Sequence, residues 1–292
     1  MRGRALIVAS LVLAACQHYP GTSATGSAVE QANVTDNVPV ATRWVLDAAG
    51  EVQRNSITSV YLMICPKTQR SGTGFLLKGG IVVTNEHVVR GCAHHEMEAR
   101  SPLGETIQFK SLATDPGRDL ALLRPAKTLN GGLDLGQDVN PPLGTPVTTW
   151  GFPLIYNGPP PILSVGYVAG YTAVPSGGTI VRHIVVNGAF NPGNSGGPLF
   201  MANDNKVVGV VVWKQRLLSQ LVPTVIGGLK NPKASLTGTF SFTMPDGTVR
   251  PVSNEQAVAL VLEEFYDTVQ VVIGEAIAVS ELKAFIAAQS QF

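Results

Sequence analysis

From Ser59 onward, apolar and polar positions alternate in short runs punctuated by Gly, Pro, Asn and Asp. Ser59–Cys65, Gly74–Leu77, Ile81–Thr84, Ile107–Ala113 and Leu120–Arg124 form one group. Pro146–Gly151, Ser164–Tyr171, Ile180–Asn187, Pro198–Phe200 and Lys206–Trp213 form a second. Runs of this length, rich in Val, Ile and Leu and bounded by turn residues, predict β-strands. No long helical period separates them, so the pattern predicts an all-β class built of antiparallel barrels rather than a parallel α/β sheet. Asn130–Leu143, with its Gly-Gly and Pro-Pro pairs, is the expected crossover between the groups. The pattern changes again near the end. Phe240–Thr243 and Thr248–Val252, around Pro245-Asp246-Gly247, predict a hairpin. Ser253 with Gln256 is a capping-box spacing that opens a helix over Glu255–Val269, and a second helix is expected over Ser280–Gln289.

The first residues follow neither pattern. Arg2 and Arg4 precede an apolar run, Ala5–Ala15, too short to span a bilayer as a stable helix, which is the form of an export signal. The run ends Leu13-Ala14-Ala15-Cys16, which resembles the lipobox of bacterial lipoproteins. That resemblance implies cleavage before Cys16 and a diacylglycerol on its thiol. With Gln17 rather than Asp next, it implies attachment to the outer membrane, facing the periplasm, in a Gram-negative cell. An ordinary secretory signal with a chance cysteine is the alternative. The polar stretch that follows reads as a tether. The expected organisation is a signal peptide over 1–15, a flexible tether over 16–43, a first barrel over 44–135 and a second over 136–292. The last contains an insertion at about 214–273 and a C-terminal helix.

Composition narrows the classes. At 45% apolar and 14% charged residues the chain is neither disordered nor highly charged. A net charge of +1 without a Lys/Arg cluster leaves no footprint for nucleic acid. Of three cysteines, lipidation accounts for Cys16, leaving Cys65 and Cys92 in an oxidising compartment on either side of His87. A disulfide and two free thiols are both open at this point.

Candidate chemistry concentrates in three segments. Asn191-Pro192-Gly193-Asn194-Ser195-Gly196-Gly197-Pro198-Leu199 places a hydroxyl among glycines. Nucleophilic acyl transfer needs a hydroxyl on a sharp turn, with backbone N–H groups of the Gly193, Asn194, Ser195 segment turned toward a developing oxyanion. A serine needs a base, and Thr84-Asn85-Glu86-His87-Val88-Val89 puts His87 at the end of an apolar strand. The base needs an acceptor to hold its tautomer. Asp119 abuts the apolar Leu120–Leu123 directly, whereas Asp115 precedes Pro116-Gly117 and reads as a turn residue. Asp119 is the preferred acid and Asp115 the competitor. His94 and His95, adjacent and without metal-ligand spacing, read as a solvated turn.

The order His, Asp, Ser, with TNEHVV, DLALL and NPGNSGGPLF, resembles the trypsin-like (chymotrypsin-fold) serine peptidases, and among them the bacterial HtrA-type branch. The resemblance covers roughly 58–213 and resumes at 274–285. It implies two six-stranded antiparallel barrels with the site in the cleft between them. It implies His87 as general base and acid, Asp119 as its orienter and Ser195 as nucleophile, with Gly193 and Ser195 N–H groups as the oxyanion hole. It implies Ala189 at the floor of the primary specificity pocket, and Val212, Trp213 and Lys214 along the substrate-binding edge. It calls for no cofactor and no metal.

Two departures from the family pattern matter. Asn194 stands where digestive relatives have Asp, so activation by an inserted N-terminal amine is not expected. With 97 residues after Ser195 in this sequence, part of which must complete the second barrel, a PDZ domain of the kind common in the branch is not expected. An uncharged pocket floor predicts small or medium apolar residues at the cleavage site rather than Arg or Lys. The expected partners are a peptide or unfolded protein substrate and a membrane through the N-terminal lipid, with a homo-oligomer or a partner on the 214–273 insertion also open. A peptidase-fold protein that binds without cutting, and an esterase on the same triad, are the rival functions.

Overall fold

A computed structural model describes residues 38–138, 140–154, 156–176, 178–212, 239–243, 249–253, 256–260, 262 and 273–289. Two helices, α1 (Val40–Ala48) and α2 (Glu51–Thr58), precede the first strand. The sequence pattern assigned this stretch partly to tether and partly to barrel. Both helices are short and α2 is largely polar, so their period is weak; Thr42, Ser56 and Ile57 are the positions buried.

The first barrel closes from β1 (Val60–Cys65), β2 (Arg70–Leu77), β3 (Ile81–Thr84), β4 (Glu98–Arg100), β5 (Thr106–Asp115) and β6 (Leu120–Pro125), in the order β1-β2-β3-β6-β5-β4. The second closes from β7 (Pro146–Gly151), β8 (Ile162–Ser176), β9 (Thr179–Gly188), β10 (Pro198–Met201), β11 (Val207–Val212) and β14 (Ile273–Ala278), in the order β10-β11-β14-β9-β8-β7. Between the last two in sequence, β12 (Thr239–Thr243) and β13 (Val249–Ser253) pair antiparallel as the expected hairpin. Ser253 N–H donates to Gln256 Oε1 at 2.8 Å and Gln256 N–H donates to Ser253 Oγ at 3.3 Å, the reciprocal cap read from their spacing. A short helix α3 (Glu86–Val89) follows β3, and α4 (Val279–Ala288) follows β14. All pairings within the barrels are antiparallel. The fold class is therefore the one the pattern predicts.

Each barrel has its own interior. Met63, Leu76, Met97, Ile107 and Leu123 fill the first; Val147, Ile184, Leu199, Val211 and Ala276 fill the second. A third apolar cluster lies between them, with Phe75 and Leu122 from one barrel and Trp150, Phe200, Val210 and Ile277 from the other. Strands that face both an interior and this layer are buried on both sides. That is why β11 is apolar at every position but Gly209, while β5 opens in alternation. Leu133 bridges to Leu77 and Leu135 to Val207, so the crossover is stitched to both barrels. Each large side chain fully buried here is worth about 1.5–3 kcal/mol, which fixes the two barrels against one another and so fixes the residues at their junction.

Candidate active site

His87 lies in α3, which begins where β3 ends. Its neighbours hold it closely: Val88 and Val89 are buried, and Arg70 Nη1 donates to His87 O at 2.8 Å. Asp119 occupies the last position before β6, with φ of +56°. A non-glycine residue in this region is uncommon, and strained conformations of this kind cost about 1–3 kcal/mol and persist only where the surroundings impose them. Here they do. Asn85 Nδ2 donates to Asp119 O at 2.9 Å, and His87 N–H donates to Asp119 Oδ1 at 2.9 Å. The carboxylate also faces the imidazole, with Nδ1 at 2.8 Å from Oδ2 and 3.0 Å from Oδ1. An acceptor at Nδ1 leaves Nε2 as the basic nitrogen, the tautomer a general base requires. The competing acid, Asp115, turns away: both its oxygens take Arg118, from its N–H at 3.0 Å and Nη1 at 2.8 Å.

Ser195 stands on the tight turn before β10 and is 4% exposed. Two glycines make that turn possible. Gly193 has φ of +98°, and a Cβ there would meet Phe152 O at 2.3 Å; Gly196 has φ of +86°, and a Cβ would meet Thr73 O at 2.1 Å. Asn194 N–H is engaged within the turn, donating to Asn191 O at 3.0 Å, while the Asn194 side chain is buried and its Oδ1 has no partner among the described residues. The histidine and serine segments approach across β2. A Cβ on Gly72 would meet Val88 Cγ2 at 2.6 Å and Ser195 O at 3.0 Å.

Thr73, which the sequence reading passed over, ties these segments together. Its N–H donates to Ser195 O at 2.8 Å, and its hydroxyl donates to Gly193 O at 2.7 Å while accepting from Phe152 N–H at 3.0 Å. Its own carbonyl accepts from Thr84 Oγ1 at 2.7 Å. One buried threonine of the first barrel thus clamps the serine turn of the second. The signal available was a threonine between two glycines, Gly72 and Gly74, just ahead of the apolar Phe75-Leu76-Leu77.

Of the expected pocket residues, Ala189 is exposed after β9 and Val212 is buried at the end of β11. Trp213, Lys214, Cys16 and most of the 214–273 insertion lie outside the described residues. Cys65 and Cys92 form a disulfide with Cα atoms 6.0 Å apart, resolving the two readings of these cysteines. His94 and His95 pack ring edge to face, with centroids 5.3 Å apart.

Residues 72–210 match the family profile described as "Trypsin-like peptidase domain". Among curated proteins the chain is similar to the uncharacterized protein y4bJ of Sinorhizobium fredii, at 36% identity over 158 residues covering 53% of this chain and 24% of that protein. It is 32% identical over 145 residues to a probable periplasmic serine endoprotease, DegP-like, of Pseudomonas fulva, covering 49% of this chain and 29% of the relative. The chain thus spans less than a third of the length of these two relatives. Among solved structures, an inactive form of Rv3671c from M. tuberculosis is similar in fold, with a TM-score of 0.54 at 16% identity over 85% of this chain and 95% of that one.

Proposed function

We propose, from the premise that the chain carries a trypsin-like peptidase domain and belongs with the HtrA-type serine proteases, that it is an exported serine endopeptidase acting through His87, Asp119 and Ser195. The observation that carries the reading is the Asp119 carboxylate, held by the His87 N–H and set against Nδ1 at 2.8 Å. In this reading Ser195 Oγ attacks the scissile carbonyl carbon while its proton passes to His87 Nε2. Asp119 keeps the imidazole oriented and stabilises the cation that forms. The carbonyl oxygen, now an oxyanion, is received by the N–H groups of Gly193 and Ser195; losing one such donor typically costs about 2.7–4 kcal/mol of transition-state stabilisation. Collapse expels the amine, which takes the proton from Nε2, and leaves an acyl-Ser195. A water then repeats the sequence: His87 takes its proton, the acyl–oxygen bond breaks, and Ser195 is restored.

The uncharged Ala189 at the expected pocket floor supports apolar residues at the cleavage site. A cleavage profile dominated by Arg or Lys overturns that assignment. Cys16, after the Leu13-Ala14-Ala15 run, supports a lipid-anchored protein of the periplasmic face, in keeping with the periplasmic relative. Unfolded protein or peptide is the substrate class. The decisive test is fluorophosphonate labelling of the full chain beside a Ser195→Ala variant. Labelling that disappears in the variant is the expected result. A folded protein that takes no label, or whose label persists without Ser195, overturns the peptidase reading.

A further inference from the structure

The turn that carries Asp119 is anchored in the second barrel. Asp115-Pro116-Gly117-Arg118-Asp119 closes the β5–β6 hairpin, where Asp115 pairs with Leu120. Within it, Arg118 is fixed by Asp115 through both its N–H and its guanidinium. The Nε–H of the same guanidinium donates to Glu281 Oε2 at 3.1 Å, a residue 163 positions further along the chain in the first turn of α4. The other oxygen of Glu281 accepts the backbone N–H of Arg182, on β9, at 3.3 Å. The Arg118 and Glu281 side chains are 26% and 16% exposed, so their attraction is screened far less than that of a surface pair. On the opposite flank, Asn85 Nδ2 holds Asp119 O. The left-handed backbone of Asp119 therefore lies between two anchors, one from each barrel.

We propose that the Arg118–Glu281 bridge is a positioning device for the reaction: α4 of the second barrel sets the backbone of Asp119 and, through its carboxylate, the orientation of His87. This rests on the assignment of His87, Asp119 and Ser195 given above. Arg118 and Glu281 are positioning residues, since neither touches the reacting atoms. The consequence is that the acid of the first barrel reaches its working geometry only when the second barrel is docked, so that catalysis is coupled to interbarrel assembly. α4 has anchors besides Glu281. Leu282 and Phe285 are buried beneath it, and Lys283 Nζ donates to Gly136 O at 2.7 Å. Glu281→Ala also releases the Arg182 N–H, which Arg118→Ala leaves in place, so the bridge is read from the loss the two variants share.

The experiment follows the rate of fluorophosphonate labelling and the thermal midpoint of the full chain for Arg118→Ala, Arg118→Lys and Glu281→Ala, each alone and on an Asp119→Ala background. Arg118→Ala and Glu281→Ala are expected to slow labelling by about 10- to 100-fold, the scale set by small misplacements of a catalytic group. For a peptide substrate the loss is expected in kcat rather than KM. Arg118→Lys is expected to recover part of the loss. On the Asp119→Ala background the effects should shrink to under about 2-fold, because a group that acts through Asp119 has nothing left to position. Single variants that label at the wild-type rate, a loss that persists undiminished without Asp119, or a loss that follows only the thermal midpoint overturns the proposal. Wild-type labelling by Asp119→Ala itself overturns the underlying assignment instead.

Discussion

The first barrel closes from one continuous stretch, Val60 to Pro125, whose longest connection between strands is the segment from Thr84 to Glu98 that holds α3. The second takes five strands from 146–212 and its sixth, β14, from beyond residues 213–272, inserting it between β11 and β9. β14 is held there by two antiparallel pairings, and Ala276 and Ile277 are buried. The contributions to the candidate site differ in kind as well. The first barrel supplies side chains at strand ends, His87 and Asp119, in a mutual hydrogen-bonded geometry. The second supplies Ser195 and, beneath it, main-chain shape: a turn that depends on the positive φ of Gly193 and Gly196. Side-chain chemistry therefore fails by loss of a functional atom, and main-chain shape fails by addition of a methyl group.

The largest expected effects set those two failures side by side. Asp119→Asn keeps the size of the side chain but replaces one carboxylate oxygen by a donor, so the imidazole is held in the wrong tautomer. Activity should fall by about 10⁴-fold with the thermal midpoint nearly unchanged. Gly193→Ala should lose both. Its methyl would fall 2.3 Å from Phe152 O at a φ of +98°, and distorting the oxyanion donors should cost about 10²–10³-fold in kcat. Peptide hydrolysis and calorimetry on the same two proteins check the contrast. If Asp119→Asn destabilises as much as Gly193→Ala, the division between chemistry and shape is wrong.

A smaller effect separates the barrels by their stability. The Cys65–Cys92 bridge closes a 27-residue separation in the first barrel, worth about 3–4 kcal/mol as lost entropy of the unfolded chain. Among the described residues the second barrel has no counterpart. Reduction, or Cys65→Ala with Cys92→Ala, should lower the unfolding free energy by that amount, and the thermal midpoint with it, while leaving the labelling rate of the folded fraction within a few-fold. A labelling rate that collapses in step with reduction would mean that the bridge holds His87 itself rather than the barrel around it.

Alkaline pH should also act on the first barrel. Burial, with Glu105 nearby, pushes the Tyr61 hydroxyl up to about 12 from the usual 10.0. The folded state thus resists ionisation that the unfolded chain allows. The stability contributed by neutral Tyr61 is complete below pH 10 and is lost as pH rises toward 12, by up to about 2–3 kcal/mol. Tyr61→Phe should flatten the alkaline fall in the thermal midpoint. An unchanged pH dependence would move the sensitive group elsewhere.

What was legible in the sequence follows the same division. Local signals carried ten of the twelve barrel strands (all but β4 and β14), the His87, Asp119 and Ser195 segments and the Ser253–Gln256 cap, because each depends on residues within a few positions. β4 was missed because three residues give no period, and α1 and α2 because short helices with few buried positions leave almost none. β8 extends beyond the expected Ser164–Tyr171 at both ends, and its pairing with β9 runs to Ser176 through a bulge between Val168 and Gly170. Thr73 and Glu281 were invisible for a different reason. Their partners, Gly193 and Arg118, lie 120 and 163 positions away, and only closure of both barrels brings them together.

Thr73 is where the division between the barrels is weakest, and the smallest expected effect tests it there. Thr73→Val keeps the shape of the side chain and removes one hydroxyl, leaving Gly193 O without a donor and Phe152 N–H without an acceptor. Each buried group left unpaired costs about 1–3 kcal/mol, but the strand and its N–H to Ser195 O remain. The serine turn should therefore persist in a looser form, with kcat lowered by roughly 10-fold, about 1.4 kcal/mol, and KM little changed. Thr73→Ser restores the hydroxyl and should restore the rate. If Thr73→Val labels at the wild-type rate while its thermal midpoint falls, the turn is shaped by its glycines alone and the first barrel contributes only chemistry. If kcat falls and serine rescues it, the first barrel also enforces the shape that the second barrel carries.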